Sequence, residues 1–257
     1  MIASFRIVQR NALVYRRIWP GSLFFSFLQP LLFLLSIGVG VGGLMNGSGN
    51  AFPGGVSFLS FLAPGILAST CMQTATFESS FPIMGKMTWR RNYEAMCATP
   101  LRITDIIVGE LLWVGVRLLM VATAFVLVLL VWGIARGPLV LVAIPAAVLT
   151  GLAFSAPIMA YVVTVRVTGA GVNPLFRFVI TPLFLFSGVF FPIIRLPDWM
   201  QVVAVVTPLY HGVELVRGLI LHSIGIWAAA GHSLYLLTML AVGLAAARIT
   251  FSKKLAA

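Results

Sequence analysis

Six continuous apolar stretches, at 22–41, 58–77, 106–132, 139–165, 175–191 and 224–247, constrain this chain more than any other feature. A helix that crosses a bilayer needs about 20 mostly apolar residues. The stretches are unbroken rather than alternating and far exceed strand length, which argues against a β-barrel. Composition agrees: 60% of the 257 residues are hydrophobic and 9% are charged, against roughly a quarter charged in soluble domains. No soluble core of this length buries so much apolar side chain. The fold class expected is therefore an all-α integral membrane protein with six spans in one domain, 1–257.

Charge placement orients the spans. The net charge is +11, and the cations sit between apolar stretches rather than on one face. That pattern points to topology and anionic headgroups rather than nucleic acid. With both termini in the cytoplasm, 13 of the 17 cations fall inside and three outside (Arg136, Arg195 and Arg217), and Arg117 lies within a span. The positive-inside rule selects that orientation. The N-terminus carries no convincing cleavage site and is expected to stay in place. Cys71 lies in an apolar stretch and Cys97 in a polar loop, so no disulfide joins them.

Ahead of the first span, Phe5, Val8, Ala12, Tyr15 and Trp19 recur at helical spacing, with Arg6, Gln9, Arg10, Arg16 and Arg17 between them. Residues 1–20 are expected to form an amphipathic helix lying in the inner interface, with Pro20 and Gly21 bending the chain into span 1. A basic flank without helical order is the alternative. Residues 45–55, rich in Gly and Asn, form a flexible outer loop.

No catalytic constellation is visible. The one Gly-Lys pair, Gly85-Lys86, is followed by Met87, and Ser80 stands where a phosphate-binding loop needs its first glycine. His, Cys, Asp and Glu do not cluster at metal-ligand spacing. The chain is expected to bind no cofactor or metal and to be no enzyme.

Three polar features remain. The cytoplasmic connection 79–104 is the longest charged segment. A short helix over 88–98, with Thr88 as N-cap and Pro100 as stop, places Trp89, Tyr93 and Met96 near one side and Arg90, Arg91 and Glu94 near another. Aromatic anchors with a charged rim suit the docking of a partner protein; a basic loop on headgroups is the alternative. Residues 194–222 hold two apolar pieces, each too short to span, punctuated by Pro197 and Pro208, which fits an outer re-entrant hairpin. Within it His211, Glu214 and Arg217 recur every three residues and can pair with one another, either as a structural patch or as a polar element on a substrate route. Arg117 lies roughly 18 Å along its helix from Asp105. An intramembrane cation is costly and faces protein or water. Glu110 and Glu78 are its candidate partners, and an anionic headgroup or saccharide is the functional alternative.

The stretch Tyr93-Glu-Ala-Met-Cys-Ala-Thr-Pro-Leu-Arg-Ile-Thr-Asp-Ile-Ile-Val-Gly-Glu-Leu-Leu-Trp113 resembles the permeases of type-2 ATP-binding-cassette exporters. So does Phe186-Ser-Gly-Val-Phe-Phe-Pro-Ile-Ile-Arg-Leu-Pro-Asp-Trp199, followed by Thr207-Pro-Leu-Tyr-His211 and Arg217. The likeness is greatest to the branch of nodulation lipo-oligosaccharide and daunorubicin-resistance exporters. It implies a coupling helix at Trp89–Thr99, a connecting helix at Ser4–Trp19 and an outer re-entrant element at Pro197–Leu221. It further implies a separate ATPase subunit carrying ATP and Mg, a second permease copy (identical or not), an amphipathic substrate such as a lipo-oligosaccharide, glycolipid or drug, and a place in the plasma (inner) membrane. Two other classes are weighed against it. A secondary transporter calls for internal repeats and midplane acids, and a membrane-embedded lipid or glycan enzyme calls for clustered polar groups.

Overall fold

The computed structural model describes residues 2–17, 56–90, 92–165 and 171–255, with isolated positions between 19 and 40. The expected span at 22–41 lies largely outside the described residues, as do the loop at 45–55, Arg91 and Arg166.

Among the described residues the architecture is helical throughout. Helix α1 runs Ile2–Tyr15. Helix α2, Phe58–Met84, continues through a π-turn, Gly85–Trp89. A short helix α3, Asn92–Cys97, leads into α4, Ile103–Val131, and α5, Leu139–Thr164. Helix α6, Val172–Phe186, contains a second π-turn at Phe176–Ile180. Helices α7, Asp198–Val206, and α8, Pro208–Ile220, meet at an 83° bend, and α9 spans Ile226–Leu255.

Four of these helices, Phe58–Trp89, Ile103–Val131, Leu139–Thr164 and Ile226–Leu255, are long and apolar enough to cross a membrane, and the bent α7–α8 pair makes a fifth if it counts as one span. The stretch expected at 175–191 forms only the shorter α6. Its π-turn has a local cause. Pro182 donates no backbone hydrogen, and the Thr181 amide and hydroxyl both turn back to the Phe176 carbonyl.

The turn before the first span also differs from expectation. The chain turns at Arg16 and Arg17, and positions 19–21 are already helical. Pro20 therefore stands at the beginning of a helix, where its missing N–H costs nothing.

Helix α5 is the hub, packing against α2, α4, α8 and α9. Small residues permit this closeness, as is usual between helices in lipid. A Cβ on Gly243 of α9 would lie 2.5 Å from the Pro157 ring of α5. Outward faces are apolar: Leu112, Leu119 and Leu127 on α4 and Leu234, Leu237 and Val242 on α9 are exposed.

Length sets the shape of one end. At 1.5 Å per residue the 32 residues of α2 with its π-turn reach about 48 Å, and the 29 of α4 about 43 Å. Hydrocarbon is about 30 Å thick. The surplus emerges where α1 and α3 pack: Lys86 near the end of α2 meets Glu110 near the start of α4, and Phe251 near the end of α9 meets Tyr93 of α3. These segments form a polar pedestal beneath the apolar bundle.

Candidate functional site

The pedestal is organised around Glu110, which is 3% exposed. A carboxylate so placed must find donors, and three elements supply them. Lys86 of the α2 π-turn lies 2.7 Å away, Asn11 Nδ2 of α1 donates at 3.0 Å, and the Tyr93 hydroxyl of α3 donates at 3.1 Å. Lys86 also donates to Asn11 Oδ1 at 3.1 Å. Burial, and after it the adjacent Glu110 charge, hold the Tyr93 hydroxyl well above its ordinary pKa range. It therefore remains a donor at any physiological pH. The Tyr93 ring packs edge-on against Phe251, with centroids 5.8 Å apart.

The contacts of helix α1 advance in step along α4. The Ser4 hydroxyl meets Asp105, Ile7 meets Gly109, Asn11 meets Glu110, and Tyr15 meets Trp113 and Arg117. The helix thus packs alongside the first turns of α4 instead of across them. Gly109 makes this possible: a Cβ there would stand 2.8 Å from Ile7 Cβ and 2.9 Å from the Ser4 carbonyl.

Deeper in the bundle, Arg117 is 1% exposed. Its Nε donates to Glu78 at 3.0 Å, its Nη1 donates to the Tyr15 hydroxyl, and its guanidinium lies over the Tyr15 ring at 4.2 Å. The two ion pairs are crossed. Helix α2 contributes an acid at 78 and a cation at 86; antiparallel α4 contributes a cation at 117 and an acid at 110. Asn11 and Tyr15, one turn apart on α1, each touch one pair.

At the opposite end, Arg217 of α8 ties three elements together. It donates to Glu214 at 2.8 Å, to the Phe61 carbonyl of α2 at 3.2 Å and to the Gly188 carbonyl after α6 at 2.7 Å, and it lies over the Phe61 ring at 3.8 Å. The bend beside it follows from Pro208. The residue before a proline avoids helical geometry, and Thr207 is extended, its hydroxyl accepting from the Tyr210 amide at 3.4 Å. Helix α9 clasps this elbow: Tyr235 donates to the Val206 carbonyl at 2.6 Å and stacks on His211 at 3.9 Å, and His232 Nδ1 lies 2.8 Å from His211 Nδ1.

The model for the ABC-2 type transporter family matches residues 3–221. The chain belongs to that family. Among the similar curated proteins, Nodulation protein J of Bradyrhizobium diazoefficiens is 34% identical over 217 residues, covering 83% of this chain and 79% of that protein. Nodulation protein J of Rhizobium leguminosarum bv. trifolii is 33% identical over 214 residues, with the same coverage. That of Sinorhizobium fredii is 32% identical over 210 residues, 81% of this chain and 78% of its own length. No solved structure matches. The relatives agree with the nodulation branch that the motifs at 93–113 and 186–199 resemble. This ABC-2 chain is accordingly a multi-pass membrane subunit of a transporter rather than a catalytic enzyme.

The structure sorts the polar residues of this ABC-2 transporter differently from the sequence in several places. Trp89, Arg90 and Glu94 are exposed, and Met96 is half-buried. Tyr93 is fully buried, so it anchors α3 from within instead of sharing the outer side with Trp89. Arg91 lies outside the described residues. Thr88 caps nothing, because the π-turn occupies 85–89 and α3 starts only at Asn92. Of the two partners expected for Arg117, Glu78 is the one found. Glu110 stands two turns away, about 10 Å of rise, and belongs to Lys86. The trio at 211–217 divides: Glu214 and Arg217 pair, while His211 turns to His232. Asn11, His232 and Tyr235 go unnoticed in the sequence, and Lys86 and Tyr15 are read there in other roles than the ones they take here. A signal existed for two of them. Lys86 is the only lysine before position 253, and His232 interrupts an apolar stretch. Cys71 and Cys97 are both free, as expected. Among the described residues no group of three or more His, Cys, Asp and Glu has a metal-holding arrangement.

Proposed function

We propose that this chain is the permease of an ATP-driven exporter, with six spans in the plasma (inner) membrane, both termini cytoplasmic, and a separate ATPase docked beneath the pedestal. The observation that carries the reading is the setting of α3. Tyr93 fixes this short helix from inside, to Glu110 of α4 and Phe251 of α9. Trp89, Arg90 and Glu94 stay exposed around it, with Trp89 at 62%. A short helix held rigidly on one side, with the adjoining π-turn presenting an aromatic residue beside exposed charges, is suited to receive a push from a partner. Together with Met96 and with Arg91, which lies outside the described residues, these side chains form the coupling surface.

In this reading ATP and Mg act on the partner ATPase, whose closure drives α3. The pedestal passes that motion into α2 and α4. A second permease copy completes the path, and the substrate is amphipathic: a lipo-oligosaccharide, glycolipid or drug. Membership of the ABC-2 family supports the transport subunit. The nodulation-protein relatives favour the lipo-oligosaccharide end of the substrate range, and the pedestal's polar surplus length supports placing it in the cytoplasm with the basic loops. The test is purification of the tagged chain from native membranes in detergent, followed by mass spectrometry and an ATPase assay. Equimolar recovery of a P-loop ATPase is expected. A chain that purifies alone and hydrolyses no nucleotide defeats the reading.

A further inference from the structure

We infer that the contact between His211 and His232 is a proton-sensitive latch that holds the α7–α8 elbow against α9. Two imidazole Nδ1 atoms stand 2.8 Å apart. A neutral imidazole carries one N–H and one lone pair, so such a contact exists only when exactly one proton lies between the two nitrogens. One ring donates and the other accepts. The neutral pair satisfies this, and so does a pair with a single extra proton on the outer nitrogen of the donating ring. A pair in which both rings are imidazolium does not: two donors then face each other at hydrogen-bond distance with like charge.

The sign follows. The contact holds at neutral pH and survives the first extra proton; it is lost only as the second is taken up, below the ordinary imidazole range of about 6.5. Both rings are partly exposed.

Position gives the contact leverage. His211 lies just past the 83° corner at Thr207 and Pro208, and Val206 lies just before it. His232 and Tyr235, three residues apart on one side of α9, hold the two arms: His232 takes His211, and Tyr235 takes the Val206 carbonyl while stacking on His211. Among the described residues the other groups facing the pair are few. From α8 they are Tyr210, whose ring meets both imidazoles edge-on, and Glu214, which is engaged by Arg217. From α9 there is Tyr235, and from α7 only backbone at Val205 and Val206. Helix α5 meets α8 here through Thr150 beside Gly212 and brings no titratable group. Glu214 is the one acid nearby. It favours the first extra proton and, held by Arg217, is poorly placed to neutralise a second.

The latch is tested by measuring the distance between spin labels at Val202 of α7 and Leu234 of α9, both exposed. The full chain is used in lipid nanodiscs, in a Cys71→Ala, Cys97→Ser background, at pH 7.5 and pH 5.0, with and without EDTA. One population is expected at pH 7.5 and an added, longer one at pH 5.0. His232→Asn keeps an uncharged hydrogen-bonding group and should show the pH 7.5 population at both values; His211→Asn serves as the second variant. An unchanged wild-type distribution overturns the latch, and so does a shift that persists in both Asn variants. A pH 7.5 distribution that changes with EDTA overturns the shared proton in favour of a bridging metal ion. The distances need neither nucleotide nor partner, so their outcome is independent of the exporter reading.

Discussion

Arg117 of α4 and Glu78 of α2 meet at 3.0 Å, and eight residues further along α2 the charges are reversed, with Lys86 meeting Glu110 at 2.7 Å. A buried pair of this kind costs most when half of it is removed, because the remaining charge is left without a partner. Arg117→Ala is expected to destabilise the chain by about 3 kcal/mol, read as a lowered melting temperature in detergent and reduced export. The double substitution Glu78→Met, Arg117→Met should cost less than Arg117→Ala alone. Equal melting of wild type and Arg117→Ala would show that the pair bears no weight.

Gly109 admits α1 to the side of α4. Gly109→Ala puts a methyl group against Ile7 Cβ and the Ser4 carbonyl, neither of which is the loose end of a side chain. Overpacking of this sort costs about 1–3 kcal/mol. Proteolysis within α1 should become faster than in wild type while the rest of the chain stays protected. An unchanged cleavage rate would mean that α1 is held in some other way.

Glu94→Lys reverses a charge on the exposed side of α3, and Arg91→Glu does so in the same connection. We expect transport-stimulated ATPase activity to fall while folding is kept, as judged by size-exclusion elution. Tyr93→Phe makes the complementary case. It removes one donor from Glu110 but leaves Lys86 and Asn11, so it should lower stability by about 1 kcal/mol. Because burial, and after it Glu110, holds the Tyr93 hydroxyl well above its ordinary pKa range, the difference from wild type should be flat between neutral and mildly alkaline pH. A difference that grows over that range would contradict the buried setting of the hydroxyl.

Arg217→Lys keeps the charge but loses the planar fork that reaches Glu214, Phe61 and Gly188 together. Leaving buried carbonyls without a donor costs about 1–3 kcal/mol. Hydrogen exchange at α8 should accelerate. Glu214→Gln should change it far less, since Glu214 is more than a third exposed and retains an acceptor. Equal exchange in Arg217→Lys and wild type would remove Arg217 from the role of tie.

The sequence made the long helices legible because hydropathy records what lipid demands. The helices beginning at 58, 103, 139 and 226 start within a few residues of the expected spans. It concealed the two π-turns, which arise where a proline or a turn upsets the hydrogen-bond ladder without altering the apolar pattern. It also misplaced the inner side of α3. Periodicity put Tyr93 beside Trp89, whereas a carboxylate 17 positions away, on another helix, draws Tyr93 inward. Partner choice was the least legible part. Glu110 lies two turns from Arg117 on α4 itself, too far along the helix to pair, and that Glu78 comes opposite Arg117 depends on the antiparallel register of α2 against α4, which the sequence does not record. His232 was hidden for the same reason, its partner lying 21 residues away across the elbow.

Two rods pinned at a single point can pivot about it, and a force applied to one end then dissipates as rotation. Helices α2 and α4 are pinned twice, by cross-ties about two turns apart. A couple applied at Trp89 therefore has no hinge to turn on, and the pair must tilt or slide as one stiff beam. Whatever load α3 receives, the apolar bundle above feels it as displacement rather than twist.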